Sequence, residues 1–229
     1  MEGDDALSLL LRADPTLLAI VRLSLGVTLS ATLVATLLGV PLGAFIALLR
    51  FRGRALVIVA LNALMGLPPV VVGLAVFLAL SRSGPLGTLG LLFTPQAMVL
   101  AQALLILPII TALTRQTIED LSAEYELELA AMRVSATGRV ITLIYEGRFA
   151  LATIVLAGFG RAAAEVGAVM IVGGNIDGFT RVMTTTIALE TSKGNLALAI
   201  GLGLVLIGLV LAVNGLAWGV RIWAERHAG

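Results

Sequence analysis

The chain has 229 residues, of which 59% are hydrophobic and 13% charged, and its mean hydropathy is +1.07. Soluble globular domains carry about 45–50% apolar and about 25% charged residues, so this composition excludes an ordinary soluble domain and indicates an integral membrane protein. The net charge of +1 gives no basis for a nucleic-acid partner, and the lack of cysteine excludes disulfides and thiolate metal sites. No metal site or catalytic residue is expected.

Five stretches are long and apolar enough to cross a bilayer, which takes roughly 20 helical residues. They are residues 23–49, 55–80, 96–113, 149–172 and 196–223. The first follows an interfacial lead-in at Asp14-Pro15-Thr16 and is long enough to tilt, and a six-span alternative divides it. Because the apolar runs are continuous and do not alternate as barrel strands do, we predict one all-α membrane domain over residues 1–229 with about five spans.

The distribution of arginine predicts the orientation, since positive charge prefers the cytoplasmic side. With five spans, the N-terminus is expected outside and the C-terminus in the cytoplasm. The arginines then on the cytoplasmic side are Arg50, Arg52, Arg54, Arg115, Arg133, Arg139, Arg148, Arg221 and Arg226. The opposite side holds Glu2, Asp4, Asp5, Arg12, Asp14, Arg82, Arg181 and Lys193. The N-terminal segment lacks the pattern of a cleavable signal peptide, so none is expected.

The second span contains LPPVVVG, residues 67–73. Pro68 and Pro69 remove two backbone donors from the middle of the stretch, so we predict a helix kink. Two interpretations stay open. The kink either serves packing alone or lines a pathway and lets helices move against one another.

The long link at residues 115–148 has an acidic first half and a basic second half, and it contains no proline. It is interpreted either as a solvated amphipathic connector or as a helix that offers Leu129, Ala130, Met132 and Val134 to a cytoplasmic partner. No phosphate-binding loop motif occurs in the chain, so any energy from ATP must come from another protein.

Two charges interrupt the fourth span. Arg161 and Glu165 are four residues apart within GFGRAAAEVG, a spacing that places them on one helix face, so a direct ion pair is predicted. Charges inside a membrane persist where they face the bundle interior and have partners. The pair either fixes the packing of this span or lines the pathway or a dimer seam, where Arg161 would offset the charge of a passing anion.

The link at residues 173–195 is rich in Gly, Thr and Asn, too polar to span the membrane and too long for a tight turn. It is read either as a surface loop or as an outer gate that contacts a binding protein. In the second case Asn175, Arg181, Thr184 and Thr185 are the candidate residues, because hydroxyls and an arginine suit a tetrahedral dianion.

Three segments resemble a known family. ELAAMRVSAT, residues 128–137, resembles the EAA loop of ABC-importer permeases, roughly Glu-Ala-Ala, three residues, then Gly-Ala-Ser. LPPVVVG resembles the molybdate and sulfate branch, whereas AGFGRAAAEVGAVMIVGGNI and TRVMTTTIALETSKG resemble the tungstate-type permease subunit. The resemblance covers about residues 20–225. Two positions depart from the loop pattern: Leu129 replaces the leading Glu, with Glu128 one position early, and Ser135 replaces the glycine.

The resemblance implies a type I ABC-importer permease in a prokaryotic cytoplasmic membrane, in contact with membrane lipid. Two copies would form the pore, two ATPase subunits would use ATP and Mg, and an extracytoplasmic tungstate-binding protein would deliver the oxyanion. This chain itself would need no cofactor. The coupling segment would cover about residues 119–142. Its ATPase-coupling residues would be Glu128, Leu129, Ala130, Ala131, Met132, Val134, Ser135, Ala136 and Thr137.

The sequence leaves alternatives to a tungstate permease open. A permease for molybdate or another oxyanion has the same features. A stand-alone secondary transporter is disfavoured because no internal repeat is evident. A membrane-embedded enzyme would need convergent catalytic groups, and neither H-E-x-x-H nor a cysteine nucleophile is present.

Overall fold

A computed structural model describes residues 15–227 of the chain. Over this range the regular secondary structure is entirely helical, with ten α-helices and a 3₁₀ turn at Gly87–Leu89. The helices are α1 (Pro15–Leu48), α2 (Arg54–Met65), α3 (Pro69–Leu80), α4 (Pro95–Glu124), α5 (Glu126–Ala131), α6 (Ala136–Glu146), α7 (Arg148–Ala163), α8 (Gly167–Gly173), α9 (Met183–Ser192) and α10 (Leu196–His227). The predicted outer charges Glu2, Asp4, Asp5, Arg12 and Asp14 lie outside the described residues.

Three of the described helices, α1, α4 and α10, are long and apolar enough to cross a membrane without interruption. Two pairs of consecutive helices are each bent at a short break, and each pair gives one further span if its two helices are taken together. The first pair is α2 with α3, bent by 103°, and the second is α6 with α7, bent by 72°. The structure thus gives between three and five candidate spans. The second bent pair covers residues 137–163 and only overlaps the predicted fourth span, residues 149–172.

Helices α1 and α4 pack closely along a stripe of small residues. Ala31, Ala35, Gly39 and Gly43 recur every four residues on α1, and all four are buried. A Cβ atom on Gly43 would lie 2.6 Å from the carbonyl oxygen of Thr111 on α4. Small residues let helix backbones approach in this way where no hydrophobic effect drives association within lipid. The α1–α4 pair is therefore the scaffold of the domain.

The span that contains the two prolines is broken, which goes beyond the predicted kink. Helix α2 ends at Met65, and α3 begins at Pro69 with Pro68 as its N-cap residue. Proline lacks the N–H that a helix interior needs, whereas the first turn of a helix needs no such donor. The two prolines are consequently compatible with the start of α3, and they end the preceding helix.

The fourth predicted span, residues 149–172, is also interrupted, which corrects the expectation of one continuous helix. Helix α7 ends at Ala163, and α8 begins at Gly167. This interruption lies close to the proline break, because a Cβ atom on Gly73 of α3 would lie 2.7 Å from the Cα atom of Ala168 on α8. The short helices α3 and α8 therefore pack backbone against backbone.

Substitution of Gly43 tests the close α1–α4 contact. Gly43→Ala places a methyl group against backbone atoms of α4, which cannot move independently, so we expect the variant to lose about 1–3 kcal/mol of unfolding free energy. Gly26→Ala on the same helix is the matched control, since a Cβ atom there has no neighbour within 4 Å. The measurement is the thermal midpoint of each purified variant in detergent. Equal midpoints for both variants would contradict the packing assignment.

Candidate functional site

The predicted ion pair lies at the interruption between α7 and α8. One Nη atom of Arg161 is 2.9 Å from Oε2 of Glu165, while Oε1 of Glu165 accepts the backbone N–H of Ala168 at 3.0 Å. Glu165 is past the last residue of α7, so its carboxylate joins the end of one helix to the first turn of the next. We call Gln102, Arg161, Glu165, Ala168 and Thr184 the break junction.

Side chains from distant segments satisfy the backbone groups of this interruption. Nε2 of Gln102 on α4 donates to the carbonyl oxygen of Ala162 at 3.0 Å, and the hydroxyl of Thr184 on α9 donates to that of Glu165 at 2.8 Å. Within a bilayer, irregular backbone is tolerated only where protein or water supplies such partners. The break junction therefore depends on three chain segments that the fold brings together.

The two charges of the pair differ in exposure. Only 3% of the Glu165 side chain is exposed, whereas the Arg161 side chain is 36% exposed. A guanidinium carries five N–H donors in a planar fork, and one nitrogen of Arg161 contacts Glu165. The pair therefore leaves donor capacity on the accessible side of Arg161, in a geometry suited to oxyanions.

The proline break lies beside the break junction. A Cβ atom on Gly167 would lie 3.0 Å from Cγ2 of Val70 and 3.8 Å from its backbone nitrogen. Val70 is the second residue of α3, directly after Pro69. The structure thus brings together two features that the sequence marks separately, namely Pro68-Pro69 and the Arg161–Glu165 pair.

The link at residues 173–195 is partly helical, since it contains α9. Thr184 and Thr185 are buried in α9, as is Thr186, so the hypothesis that the Thr184 and Thr185 hydroxyls face a passing anion needs correction. The Thr185 and Thr186 hydroxyls both donate to the carbonyl oxygen of Val182, since hydroxyls near a helix start bond readily to local backbone. These hydroxyls stabilise the link and do not line an open gate.

The first half of the link is folded as a compact turn. Arg181 pairs with Asp177 at 3.0 Å, and Asn175 has a positive φ of 50°. The apex of this turn exposes Ile176 and Phe179. These two apolar residues were missed by sequence reasoning, because isolated apolar residues in a polar link carry no periodic signal.

The coupling segment forms a short surface helix, α5, followed by a turn and α6. Leu129 is only 6% exposed and packs with Ala44, Ile118 and Leu143, so its predicted role as a residue offered to a partner needs correction. The neighbouring Leu127, absent from the predicted set, is 84% exposed. A six-residue helix is too short for apolar periodicity to separate its faces.

Other predicted coupling residues fall into two groups. Ser135 is the N-cap residue of α6, where its hydroxyl accepts the N–H of Gly138 at 3.2 Å. Val134 is half-buried and packs against the cluster that contains Leu129. The predicted coupling residues with exposed side chains are Glu128, Ala130, Ala131, Met132, Ser135 and Thr137. Exposed Met132 and Leu127 therefore give α5 and its following turn an apolar surface of their own.

A charged cluster that sequence reasoning missed joins three helices near the ends of α1 and α4 and the start of α2. Arg54 and Arg115 both pair with Glu119, and Nε of Arg54 donates to the carbonyl oxygen of Ile46 at 2.8 Å. Arg54 starts α2, Glu119 is on α4 and Ile46 belongs to the last turn of α1. An arginine near a helix end stabilises the unpaired carbonyls there. The cluster borders a cleft of about 940 Å³.

Within the described residues, no group of three or more His, Asp or Glu side chains is arranged to hold a metal. The acidic side chain of Glu190, outside the candidate spans, has a structural role. Its carboxylate accepts from Nζ of Lys193 at 2.9 Å and from Nδ2 of Asn195 at 3.0 Å. The Lys193 hydrogen bond is the main cause of a lowered Glu190 pKa, supported by Asn195 and Arg181 and opposed by burial.

Glu190→Gln tests this carboxylate through the pH dependence of stability. Because the folded-state pKa lies below the ordinary value of 4.5, the stabilisation is complete above that value and is lost as pH falls through the lowered pKa. We expect the variant to melt below wild type at neutral pH and the difference to shrink in acid. Glu146→Gln is the control, since Glu146 is exposed and makes no ion pair within residues 15–227. A Glu190→Gln offset that is constant with pH would contradict the assignment.

Comparison with known proteins gives the chain clear relatives, although no protein-family model matches it. A tungstate uptake system permease protein of Peptoclostridium acidaminophilum is 42% identical over 216 residues, which cover 94% of this chain and 95% of the relative. A probable anion ABC transporter permease protein of Haloferax volcanii is 40% identical over 205 residues, or 87% of this chain and 88% of the relative. A molybdenum transport system permease protein of Haemophilus influenzae is 30% identical over 175 residues, covering 72% and 75%.

These relatives are permeases of transport systems, and their similarity extends over most of both chains. Their names agree with the apolar helices described above, which indicate a multi-pass membrane protein. With this identity and coverage, the chain belongs to the ABC transporter permease family, in the group that includes the permeases of tungstate uptake systems.

Proposed function

We propose that this chain is the permease subunit of an ATP-driven importer that carries tungstate across a prokaryotic cell membrane. The observation that carries the proposal is the 42% identity to the tungstate uptake permease of P. acidaminophilum over 94% of the chain. Molybdate is the second candidate substrate, because a molybdenum transport permease is also a relative, at 30% identity. The two oxyanions have the same charge and tetrahedral shape, so one pathway suits both.

The proposed assembly contains two copies of the chain, two ATP-binding subunits and an extracytoplasmic binding protein that holds the anion. The N-terminus lies outside and the C-terminus lies in the cytoplasm, in agreement with the arginine distribution. ATP and Mg act in the partner ATPase. Transport proceeds by alternating access, in which nucleotide on one side and the loaded binding protein on the other favour different conformations.

The proposed contact with the ATPase is α5 and the turn that follows it. Leu127 and Met132 are exposed apolar residues on this segment, suitable for insertion into a groove of a partner. Leu129 holds the segment firmly to α1 and α4 through Ala44 and Ile118. A displacement of α5 would therefore be passed to the spanning helices, as coupling between ATPase and pathway requires.

The proposed contact with the binding protein is the outer turn at residues 175–181. Its apex exposes Ile176 and Phe179, while the Arg181–Asp177 pair and the buried hydroxyl of Thr180 hold the turn in shape. An apolar apex on a rigid turn suits recognition of a partner with little ordering cost.

Arg161 is proposed to face the pathway and to attract the anion during passage. An arginine inside a membrane is costly unless it has a partner or reaches water, and Arg161 is partly exposed at the meeting point of two broken spans. The paired Glu165 keeps Arg161 from binding the anion tightly. Release is thereby favoured, as conduction requires.

Reconstitution tests the proposed activity. The permease, its ATPase and the binding protein are placed in proteoliposomes, and tungstate uptake is followed by elemental mass spectrometry. We expect uptake only when all three proteins and ATP are present. Uptake by the permease alone would support a secondary transporter and overturn the ABC mechanism. Calorimetry compares the affinities of the binding protein for tungstate and molybdate. A strong preference for molybdate would overturn the assignment of tungstate as the substrate.

A pair of variants tests the role of Arg161. Arg161→Ala is expected to lower the uptake rate by about tenfold, equivalent to about 1.4 kcal/mol of barrier. In Arg161→Ala/Glu165→Gln the buried charge is also removed, and the glutamine oxygen can still accept the N–H of Ala168. Arg161→Ala alone leaves the buried Glu165 carboxylate without its cation and should lower thermal stability. We expect the double variant to recover that stability but not the uptake rate. Recovery of uptake together with stability would show that the pair acts in packing alone.

A further inference from the structure

The cleft of about 940 Å³ beside the cluster of Arg54, Arg115 and Glu119 has an apolar part and a charged part. The apolar part is formed by the last turns of α1 and by α6, with Phe45 and Ile141 among its side chains. The charged part contains three arginines and two glutamates. These residues are Arg50, Arg54, Arg139, Glu119 and Glu126. The cleft is therefore amphipathic, and its ligand must be so as well.

Two of the lining arginines have no acidic partner. The carboxylate of Glu119 is already shared by the two arginines of its cluster. Among the side chains that the structure describes, no carboxylate pairs with Arg50 or Arg139. The hydrogen bonds of Arg139 go to the hydroxyl and carbonyl oxygens of Ser122, at 2.7 and 3.3 Å. Two unpaired guanidinium groups thus exceed the one unpaired acid, Glu126, so the cleft favours an anion.

The apolar part of the cleft continues along α1 into the span. Leu38, Leu42 and Phe45 recur at spacings of four and three residues, so they share one helix face, and each is about half exposed. Helix α1 is a candidate span that ends at Leu48, and arginines follow from residue 50 onwards. The cleft therefore lies near a membrane surface, where phospholipid headgroups lie. A small soluble anion would leave this apolar stripe uncovered, whereas an acyl chain would cover it.

We propose that the cleft binds an anionic phospholipid of the surrounding membrane. Its phosphate oxygens accept hydrogen bonds from Arg50 and Arg139, because guanidinium forks match phosphate geometry. One acyl chain lies along Leu42 and Phe45. A zwitterionic lipid is disfavoured, because its ammonium group would add a cation to a cleft that already holds unpaired arginines. The bound lipid joins the end of α1 to α6, and this inference does not depend on which anion is transported.

Native mass spectrometry of the purified full-length permease tests the preference for an anionic headgroup. Phosphatidylglycerol and phosphatidylcholine with identical acyl chains are titrated separately into delipidated protein in detergent. We expect phosphatidylglycerol adducts at about fivefold lower lipid concentration, the effect of about one basic residue on an anionic lipid. Equal binding of the two lipids would overturn the proposal. Glycerol phosphate, which lacks acyl chains, should not displace the lipid at equal concentration, and displacement would assign the cleft to a soluble anion instead.

Arg50→Gln and Arg52→Gln form a matched pair of variants. Both arginines are exposed and lie two positions apart, but only Arg50 lines the cleft. Arg50→Gln removes one of the two proposed phosphate ligands, so we expect its affinity for phosphatidylglycerol to fall about fivefold. Arg52→Gln should retain the affinity of the wild type. Equal losses in the two variants would show attraction by general surface charge and overturn the assignment of the cleft.

The same variants distinguish a lipid from the proposed ATPase as the occupant of the cleft. The ATPase is the alternative because Glu126, at the start of α5, lines the cleft. We expect the ATPase to co-purify with Arg50→Gln as it does with the wild type. Loss of the ATPase with unchanged lipid binding would assign the cleft to the ATPase and overturn the proposal. Since lipid binding is measured without transport, the titration decides the proposal even if the importer mechanism fails.

Discussion

A helix can be interrupted within a bilayer only if other parts of the protein pair the backbone groups that the interruption frees. At the break between α7 and α8, Gln102 pairs with the carbonyl of Ala162, Thr184 pairs with that of Glu165, and the Glu165 carboxylate pairs with the N–H of Ala168. Each of these bonds is within ordinary hydrogen-bond distance. The Glu165 carboxylate therefore stabilises the interruption, and Arg161 supplies the cation that a buried carboxylate needs nearby.

This requirement also determines which helices can lie next to the break. Helix α3 approaches α8 at backbone distance, which glycine at position 73 permits. The proline break at the start of α3 is thereby brought to the same place as the ion pair. Two interrupted spans side by side concentrate helix ends, a buried acid and a partly exposed guanidinium in one small region. Such a region is polar enough for an anion and has fewer continuous helical hydrogen bonds to resist movement, the properties that the proposed pathway needs.

Much of the membrane architecture and part of this site could be predicted from the sequence. Hydropathy locates the apolar segments, two adjacent prolines locate one break, and the four-residue spacing predicts the pair of Arg161 and Glu165. The end of α7 at Ala163 could not be predicted, because charges four residues apart are equally compatible with a continuous helix and the residues that stabilise the break lie 60 and 19 positions away. The burial of Leu129 could not be predicted for a related reason. Its partners Ala44, Ile118 and Leu143 come from three other helices, and no local pattern encodes that contact.

The contacts also form a continuous path from the surface at α5 to the break junction. Leu129 attaches α5 to α1 and α4, and the cluster of Arg54, Arg115 and Glu119 joins the ends of the same helices. The small-residue stripe keeps α1 and α4 in close contact through the membrane, and Gln102 connects α4 to the end of α7. A chain of contacts does not by itself constitute coupling, which also requires an element with two discrete arrangements. The interruption between α7 and α8 is the element best suited to have two arrangements, because side-chain hydrogen bonds hold its geometry. Such hydrogen bonds can exchange partners without breaking the backbone hydrogen bonds of a helix.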